Sequence, residues 1–254
     1  MLKIDHLTHY FGGLKAVEDF SIDIQPRQMI GLIGPNGAGK TTIFNLITGV
    51  YKPTQGHVYF DGEDLTGFKP WRITQHGIVR TFQNIRLFST MSVIENIMVA
   101  HHFRMKAGLL ASILRLPSFI KEERETREMA AKLADIFGLS DVLETPAGSL
   151  PYGRQRRVEI VRALVTEPKL LLLDEPAAGM NPKEALELLA LIKKIAEDFK
   201  LTILLIEHQM PVVMGVAERI HVLDFGRTIA VGTPKEIQNH PKVIEAYLGE
   251  GAKL

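Results

Sequence analysis

The sequence predicts an α/β protein with a mostly parallel core sheet, an amino-terminal antiparallel β region and an inserted helical region. Three observations lead to this prediction. The apolar runs KLLLLDEP and LTILLIEH alternate with a helical run, which is typical of parallel strands buried on both faces. Short β-like runs fill the first thirty-odd residues. A charge-rich helical stretch interrupts the strand signals in the middle of the chain.

The composition is that of an ordinary globular protein. Of the 254 residues, 46% are hydrophobic and 23% are charged, which argues against a disordered or fibrous chain. The net charge of +1 gives no overall field that would recruit nucleic acid or an acidic membrane. The lack of cysteine excludes disulfides and thiolate metal sites. We expect neither a signal peptide in MLKIDHLTHY nor a membrane span in the short apolar stretch at 107–120.

The amino-terminal region contains three short strand-like runs, KIDHLTHYF, FSIDI and MIGLIG, which a Gly-Gly pair and Pro26 separate. TTIFNLITG at 41–49 then shows helical spacing, with Gly49 where the residue after a helix end is expected. The order strand, glycine-rich loop and helix follows from these runs.

Helical periodicity without a strand signal occupies about 91–148. Strand signals resume at 169–176, 201–208 and 219–232, with the helical run ALELLALIKKIAEDF at 185–199 between the first two. We therefore expect a helical insertion followed by the remaining strands of the core sheet.

The loop GPNGAGKT at 34–41 fits the phosphate-loop pattern G-x-x-x-x-G-K-[ST]. Its glycines allow backbone N–H groups to surround a phosphate, Lys40 reaches the β- and γ-phosphates, and the hydroxyl of Thr41 ligates Mg²⁺. A glycine-rich turn with a surface lysine is the alternative. The pattern predicts a P-loop NTPase fold, without by itself separating kinases, GTPases and ATPases, that binds the phosphates of a nucleotide through these residues: Gly34, Pro35, Asn36, Gly37, Ala38, Gly39, Lys40, Thr41 and Thr42.

Two acids follow the strand run LLLL. Asp174 ends the strand, where it can hold the metal through water, and Glu175 is placed to deprotonate an attacking water. The alternative for Glu175 is a surface acid at a strand end. No Asn-Lys-x-Asp motif occurs, which speaks against a GTPase.

Two further polar residues are expected near the phosphates. His208 closes LTILLIEH, so parallel topology brings it to the same sheet edge as Asp174, where it can touch a γ-phosphate. Gln83 ends a strand before the helical stretch and can meet Mg²⁺ and the attacking water. A structural histidine and an ordinary loop glutamine are the alternatives.

The stretch SLPYGRQRR at 149–157 places three arginines before the apolar helical run VEIVRALV at 158–165. A helix start already carries partial positive charge, so added arginines suggest an incoming anion, whereas a solvated basic turn is the alternative. In the loop after Glu175, Asn181 precedes Pro182 and Glu184, a pattern typical of a helix N-cap. A role in interface signalling is the other interpretation of Asn181.

These residues together resemble the ATP-binding subunits of ABC transporters over essentially the whole chain. The resemblance implies one ABC ATPase domain, with a RecA-like core and β subdomain at 1–90 and 151–254 and a helical subdomain at 91–150. LPYGRQ stands where the family has its LSGGQ signature, which implies contact with the γ-phosphate of an ATP held by another subunit. The signature residues implied to bind nucleotide are Pro151, Tyr152, Gly153, Arg154 and Gln155.

The resemblance also carries specific expectations about single residues. Phe11 matches the family's position for an aromatic that stacks on adenine, with Tyr10 as the alternative. Pro151 departs from the signature serine and therefore lacks both a hydroxyl and a backbone N–H. The implied catalytic set is Glu175, His208 and Gln83, and the implied Mg²⁺ ligands are Thr41, Gln83 and Asp174.

RTFQNIRLFSTMSVIENIMVAHH and the ending VGTPKEIQNHPKVIEAYLGE are most similar to the branch that imports branched-chain amino acids. This similarity implies an ATPase that pairs with a second ATPase subunit, a paralogue or itself. It also implies membrane permease subunits that dock on Asn84 to Phe88 and the helical subdomain, and indirectly a solute-binding protein. The expected location is peripheral, on the cytoplasmic face of the inner membrane.

Two other functions compete with this interpretation. A soluble ABC ATPase acting on nucleic acid or ribosomes would need a coiled-coil insertion, a second ATPase domain or a basic face, and no such feature occurs in the sequence. A P-loop kinase would need a lid and an acceptor site, and the signature-like segment and His208 argue against it. We expect no nucleic-acid partner.

Overall fold

A computed structural model describes residues 1–104, 109–207 and 210–248. The chain forms two compact units. The first contains residues 1–80, 169–178 and 185–254, and the second contains 81–168 and 179–184. The predicted helical subdomain, 91–150, is a shorter segment than the second unit.

The described residues of the first unit form two sheets. The antiparallel sheet has the strand order β2-β1-β4-β5. The other sheet has the order β10-β9-β3-β8-β7-β6, with every neighbouring pair parallel except β9 and β10. Their strands are β1 (Leu2–Phe11), β2 (Leu14–Ile24), β3 (Met29–Ile33), β4 (Gln55–Phe60), β5 (Glu63–Asp64), β6 (Ile78–Arg80), β7 (Leu170–Asp174), β8 (Thr202–Ile206), β9 (Arg219–Asp224) and β10 (Arg227–Gly232).

The core of the first unit explains the apolar strand runs. All five residues of β3, of β7 and of β8 are buried, as expected for parallel strands covered on both faces. Phe20 and Phe44 are completely buried in the same apolar cluster. The helices of this unit are α1 (Lys40–Ile47), α2 (Pro70–His76), most of α7 (Pro182–Asp198), α8 (Met210–Val216), α9 (Pro234–Gln238) and α10 (Pro241–Leu248).

The second unit is helical. Its buried residues include Ile97, Ala134, Phe137 and Val161, and Asn96 is a buried polar residue that bonds the backbone of Phe88, Met91 and Ser92. Its helices are α3 (Val93–His101), α4 (Leu109–Ile113), α5 (Pro117–Ile136) and α6 (Tyr152–Leu164), with 3₁₀ turns at His102–Arg104, Ser140–Val142 and Ala147–Ser149. None of the helices in the described part of the chain is both long and apolar enough to cross a membrane.

Two details differ from the sequence prediction. The run at 219–232 is a hairpin, because Phe225 and Gly226 both have positive φ (44° and 80°) and turn the chain back on itself. Helix α6 begins at Tyr152, six residues before the apolar run that predicted it. The basic residues therefore lie within the first turns of the helix.

Two local predictions are confirmed. Asn181 Oδ1 accepts the N–H of Glu184 at 3.0 Å, which caps the start of α7. Gly49 has φ of 70° just after α1, and a Cβ there would lie 2.1 Å from the carbonyl oxygen of Phe68. Glycine is therefore required at 49 by both backbone conformation and close contact.

Gly49→Ala should destabilise the protein more than Gly62→Ala does. Gly62 also has positive φ (87°), but a Cβ there would meet nothing within 4 Å. Gly62→Ala should thus cost about 1–2 kcal/mol for the left-handed backbone alone. Urea unfolding of the two variants measures the difference, and equal losses would show that the contact with Phe68 relaxes freely.

Candidate nucleotide-binding site

The predicted phosphate loop lies between β3 and α1 and is packed tightly against neighbouring backbone. Gly34 has φ of 155°, and a Cβ there would lie 2.2 Å from the carbonyl oxygen of Leu223. Gly39 has φ of 100°, and a Cβ there would lie 2.6 Å from the carbonyl oxygen of Ala16. Glycine is therefore needed at both ends of the loop. The backbone conformation and the close contacts explain why the pattern G-x-x-x-x-G has glycine at these two positions.

Lys40 is buried with its ammonium group turned back into this loop. Only 6% of the residue is exposed, and Nζ donates to the carbonyl oxygens of Gly34 at 2.6 Å and Pro35 at 2.8 Å. Burial lowers the pKa of Lys40, while the negative charges of Glu175 and Asp174 oppose that shift. The lysine is thus not a surface residue, and its charge interacts with both predicted acids.

The start of α1 fits an anionic ligand. Gly39 caps the helix without a side-chain hydrogen bond, and no acidic residue lies in the first turn of this helix, all of which the structure describes. Its N–H groups and their dipole are therefore not neutralised by a side chain. Thr41 is exposed here and Thr42 is half-buried. The hydroxyl of Thr41 and the carboxylate of Asp174 are hard oxygen donors of the kind that Mg²⁺ prefers.

Asp174 lies at the end of β7 and is almost completely buried. One of its oxygens accepts a hydrogen bond from Nη2 of Arg80 at 2.5 Å, and Nη1 of Arg80 donates to Asn45 Oδ1 at 2.6 Å. The sequence analysis missed Arg80. The sequence does contain a signal for this pair, because Arg80 lies at the end of a short apolar strand, where a buried cation needs a carboxylate partner.

Glu175 adopts a strained backbone conformation. Its φ is +49°, which is uncommon for a residue with a side chain and is typical of functional sites. Its N–H donates to the carbonyl oxygen of Ile206 at 2.9 Å, and Oε1 of the buried Glu207 accepts the N–H of Ala177 at 2.9 Å. These bonds fix the turn that carries Glu175. Glu207 is a second residue that the sequence analysis missed.

The remaining predicted residues of the first unit are an aromatic and a histidine. Phe11 is 43% exposed and contacts His9 and Tyr51 edge-on, with ring centroids 4.7 Å and 5.2 Å away. The ring is therefore partly exposed, as stacking on a base requires. Tyr10, the alternative, lies under the ammonium of Lys15 at 5.6 Å. His208 lies outside the described residues.

In the second unit, Gln83 is exposed within an irregular segment that follows β6. Its carbonyl oxygen accepts a hydrogen bond from Nη2 of Arg156 at 2.6 Å. Nη1 of Arg156 donates to the carbonyl oxygen of Phe82 at 2.7 Å. The backbone of Gln83 is thus held by a side chain of α6.

The signature-like segment forms the start of α6. Pro151 is the N-cap, and its carbonyl oxygen accepts the N–H of Arg154 at 2.9 Å. A Cβ on Gly179 would lie 3.2 Å from the Tyr152 ring, and Gln155 Nε2 donates to the carbonyl oxygen of Leu150 at 2.8 Å. Gly153 follows in the first turn. Pro151 offers neither a hydroxyl nor an N–H at this helix end.

The three arginines of the stretch SLPYGRQRR at 149–157 have partners within the second unit. Arg154 donates to Asp141 at 2.8 Å, Arg156 to Glu159 at 2.6 Å, and Arg157 to the carbonyl oxygen of Phe137 at 3.0 Å. The sequence suggested that these arginines attract an incoming anion. Their hydrogen bonds and ion pairs within the second unit are another explanation for the basic charge. Contact between this segment and a phosphate stays a prediction.

Comparison with protein-family models identifies this arrangement. A model described as "ABC transporter" matches residues 17–178, which is more than half of the chain. A second, described as "Branched-chain amino acid ATP-binding cassette transporter", matches residues 227–253.

Curated relatives and solved structures agree with the family models. The chain is 46% identical to the high-affinity branched-chain amino acid transport ATP-binding protein BraF of Pseudomonas aeruginosa and 48% identical to LivG of Escherichia coli, covering 98% of each chain. A crystal structure of an ATP-binding cassette of an ABC transporter in its ADP conformation is 35% identical, with a TM-score of 0.85 over 98% of this chain and 99% of that one. This chain therefore belongs to the ABC transporter family, among its nucleotide-binding ATPases.

Proposed function

We propose that this chain hydrolyses ATP to drive the import of branched-chain amino acids. The observation that carries the ATPase assignment is the buried Lys40 in its phosphate loop, whose charge interacts with Asp174 and Glu175. The substrate assignment rests on relatives that are 46–48% identical and on the family match at the carboxyl end. The same relatives favour transport over an action on nucleic acid or ribosomes.

The chemistry follows from the residues around the loop. Lys40 and the start of α1 bind the phosphates. Glu175 takes the proton of the water whose oxygen attacks the γ-phosphorus, while the bond from that phosphorus to the bridging oxygen breaks and ADP leaves. Mg²⁺, when bound, would offset the negative charge of the phosphates, and Thr41, Asp174 and Gln83 would hold it. His208 would contact the γ-phosphate, and Phe11 would stack on adenine.

The assembly follows from the signature segment. It would complete an ATP site on a second ATPase subunit, either a paralogue or a copy of this chain, so that two nucleotides lie between two subunits. Membrane permease subunits would dock on Asn84 to Phe88 and the helical subdomain, where Phe88 is 51% exposed. A solute-binding protein would deliver the amino acid to those permeases. The chain would thus lie peripherally on the cytoplasmic face of the membrane.

Glu175→Gln should leave ATP binding intact and reduce turnover by roughly 10²–10⁴-fold, because the amide cannot accept the proton of water. Turnover is measured by phosphate release and binding by equilibrium titration with a fluorescent ATP analogue. Glu167→Gln, at an exposed turn, is the matched control. Turnover near that of the unmodified protein would contradict the role of Glu175.

Lys40→Met should weaken ATP binding, because it removes the charge that faces the phosphates but keeps an apolar stem of similar length. Lys3→Met, on the exposed part of β1, is the control for loss of one lysine. Titration with the fluorescent analogue measures the affinity. Unchanged affinity with lost turnover would mean that Lys40 acts only in the transition state.

Pro151→Ser should raise the hydrolysis rate at the ATP site that this chain's signature segment completes. Serine restores a hydroxyl and an N–H, and each charge-assisted hydrogen bond to a phosphate contributes roughly 1.5–3 kcal/mol. Single-turnover hydrolysis is measured in dimers whose other site is disabled. Pro151→Ala restores the N–H alone and separates the two contributions. An equal or slower rate in the serine variant would show that proline is adapted to this site.

A further inference from the structure

Arg156 has an unusual environment for an arginine. Its side chain is completely buried, and it lies on α6 directly after Gln155, the last residue of the signature-like segment. Its two terminal nitrogens donate to four oxygens, those of Phe82 (2.7 Å), Gln83 (2.6 Å), Glu159 (2.6 Å) and the Tyr152 hydroxyl (3.3 Å). Such a group fixes all of its partners at once, because the guanidinium is planar and its donors form a rigid fork.

Glu159 supplies the charge that allows this burial. It is three residues further along α6, and its side chain is 2% exposed. Burial raises the pKa of the Glu159 carboxyl, and the charges of Arg156 and Arg162 counter that shift. Both residues of the pair lie on α6 and both contact the irregular segment: Glu159 is hydrogen-bonded by the backbone of Phe82, and Arg156 donates to the carbonyl oxygens of Phe82 and Gln83.

The segment that Arg156 holds has no regular secondary structure. Its backbone is bound by side chains instead: Arg156 at Phe82 and Gln83, Arg162 at the carbonyl oxygen of Arg86, and Asn96 at Phe88. Gln83 and Phe88 are exposed, so the side chains of the second unit bind the backbone of this segment while these two residues remain accessible to solvent. A backbone held in this way places its side chains reproducibly.

We propose that Arg156 is a positioning residue that fixes Gln83 relative to the signature-like segment Pro151–Gln155. The inference rests on the proposed role of Gln83 in ATP hydrolysis. Because Gln83 would face the ATP of its own subunit and the signature segment would face the ATP of the partner, the Arg156 contacts join the parts of one chain that serve two nucleotides.

The test replaces the ion pair as a unit. In Arg156→Met with Glu159→Leu, apolar residues fill the buried volume and both charges are removed, so the free energy of unfolding should fall less than in Arg156→Met alone, which leaves the Glu159 charge buried without its partner. Turnover should still fall, on the order of tenfold to a hundredfold, because the 82–83 backbone loses its anchor. The KM for ATP should change little, since the phosphate loop is untouched. Amides of residues 82–86 should exchange with deuterium faster than in the unmodified protein.

Three further variants make the outcome specific. Arg156→Lys keeps the charge but cannot reach all four oxygens, so it should retain an intermediate turnover. Val161→Ala, at a buried position of the same helix, is the control for ordinary loss of packing. Gln83→Ala in the double-variant background should reduce turnover less than it does alone, because both changes act on one group. All are measured on the full chain within the complex that it co-purifies with.

The results separate the possible failures. If the double variant is stable and its turnover is that of the unmodified protein, Arg156 does not position Gln83. If turnover and stability fall together as in Val161→Ala, the role of Arg156 is structural only, and the inference is wrong. If Gln83→Ala alone has no effect, the proposed role of Gln83 is wrong and the inference falls with it, while Glu175→Gln still tests the ATPase assignment independently.

Discussion

The ion pair between Arg80 and Asp174 is the constraint on which the candidate site of the first unit depends. It joins the ends of β6 and β7, and through Asn45 it also holds α1, the helix that follows the phosphate loop. Loss of one partner would leave an uncompensated buried charge, which costs about 3–5 kcal/mol. The sheet edge that carries Asp174 and Glu175 is therefore fixed by charge as well as by the apolar strands beneath it.

In both units, buried charged side chains supply hydrogen-bond partners to the backbone of the irregular segments. A segment that is neither helix nor strand must still find partners for its backbone N–H and C=O groups. In the first unit, Lys40 donates to two carbonyl oxygens of its own loop, and Glu207 accepts an N–H of the turn after Glu175. In the second, Arg156 donates to residues 82 and 83. Buried charged side chains thus hold the loops in place of a regular hydrogen-bond ladder.

The regular elements could be predicted from the sequence, whereas the side-chain contacts that hold the irregular segments could not. Strands β3, β7 and β8 and helix α1 were predictable because apolar periodicity, the glycine pattern and Gly49 are local signals. Arg80 and Asp174 are 94 positions apart, so no local pattern reveals that they pair. The run VEIVRALV placed the start of α6 too late, because a proline N-cap and basic residues gave no apolar signal for its first turns. Exposed and buried arginines look alike in sequence, as Arg154 and Arg156 show.

The bonds of Lys40 also bear on how the site receives its ligand. Its ammonium group now donates to two neutral carbonyl oxygens of the loop, whereas hydrogen bonds to an anion are roughly twice as strong as those between neutral groups. An entering phosphate would therefore offer Lys40 better acceptors than the loop does. Because Nζ of Lys40 already lies against the loop that would bind the phosphate, the exchange of partners takes place within the loop itself. The loop is thus organised in advance by the same charge that would bind the phosphates.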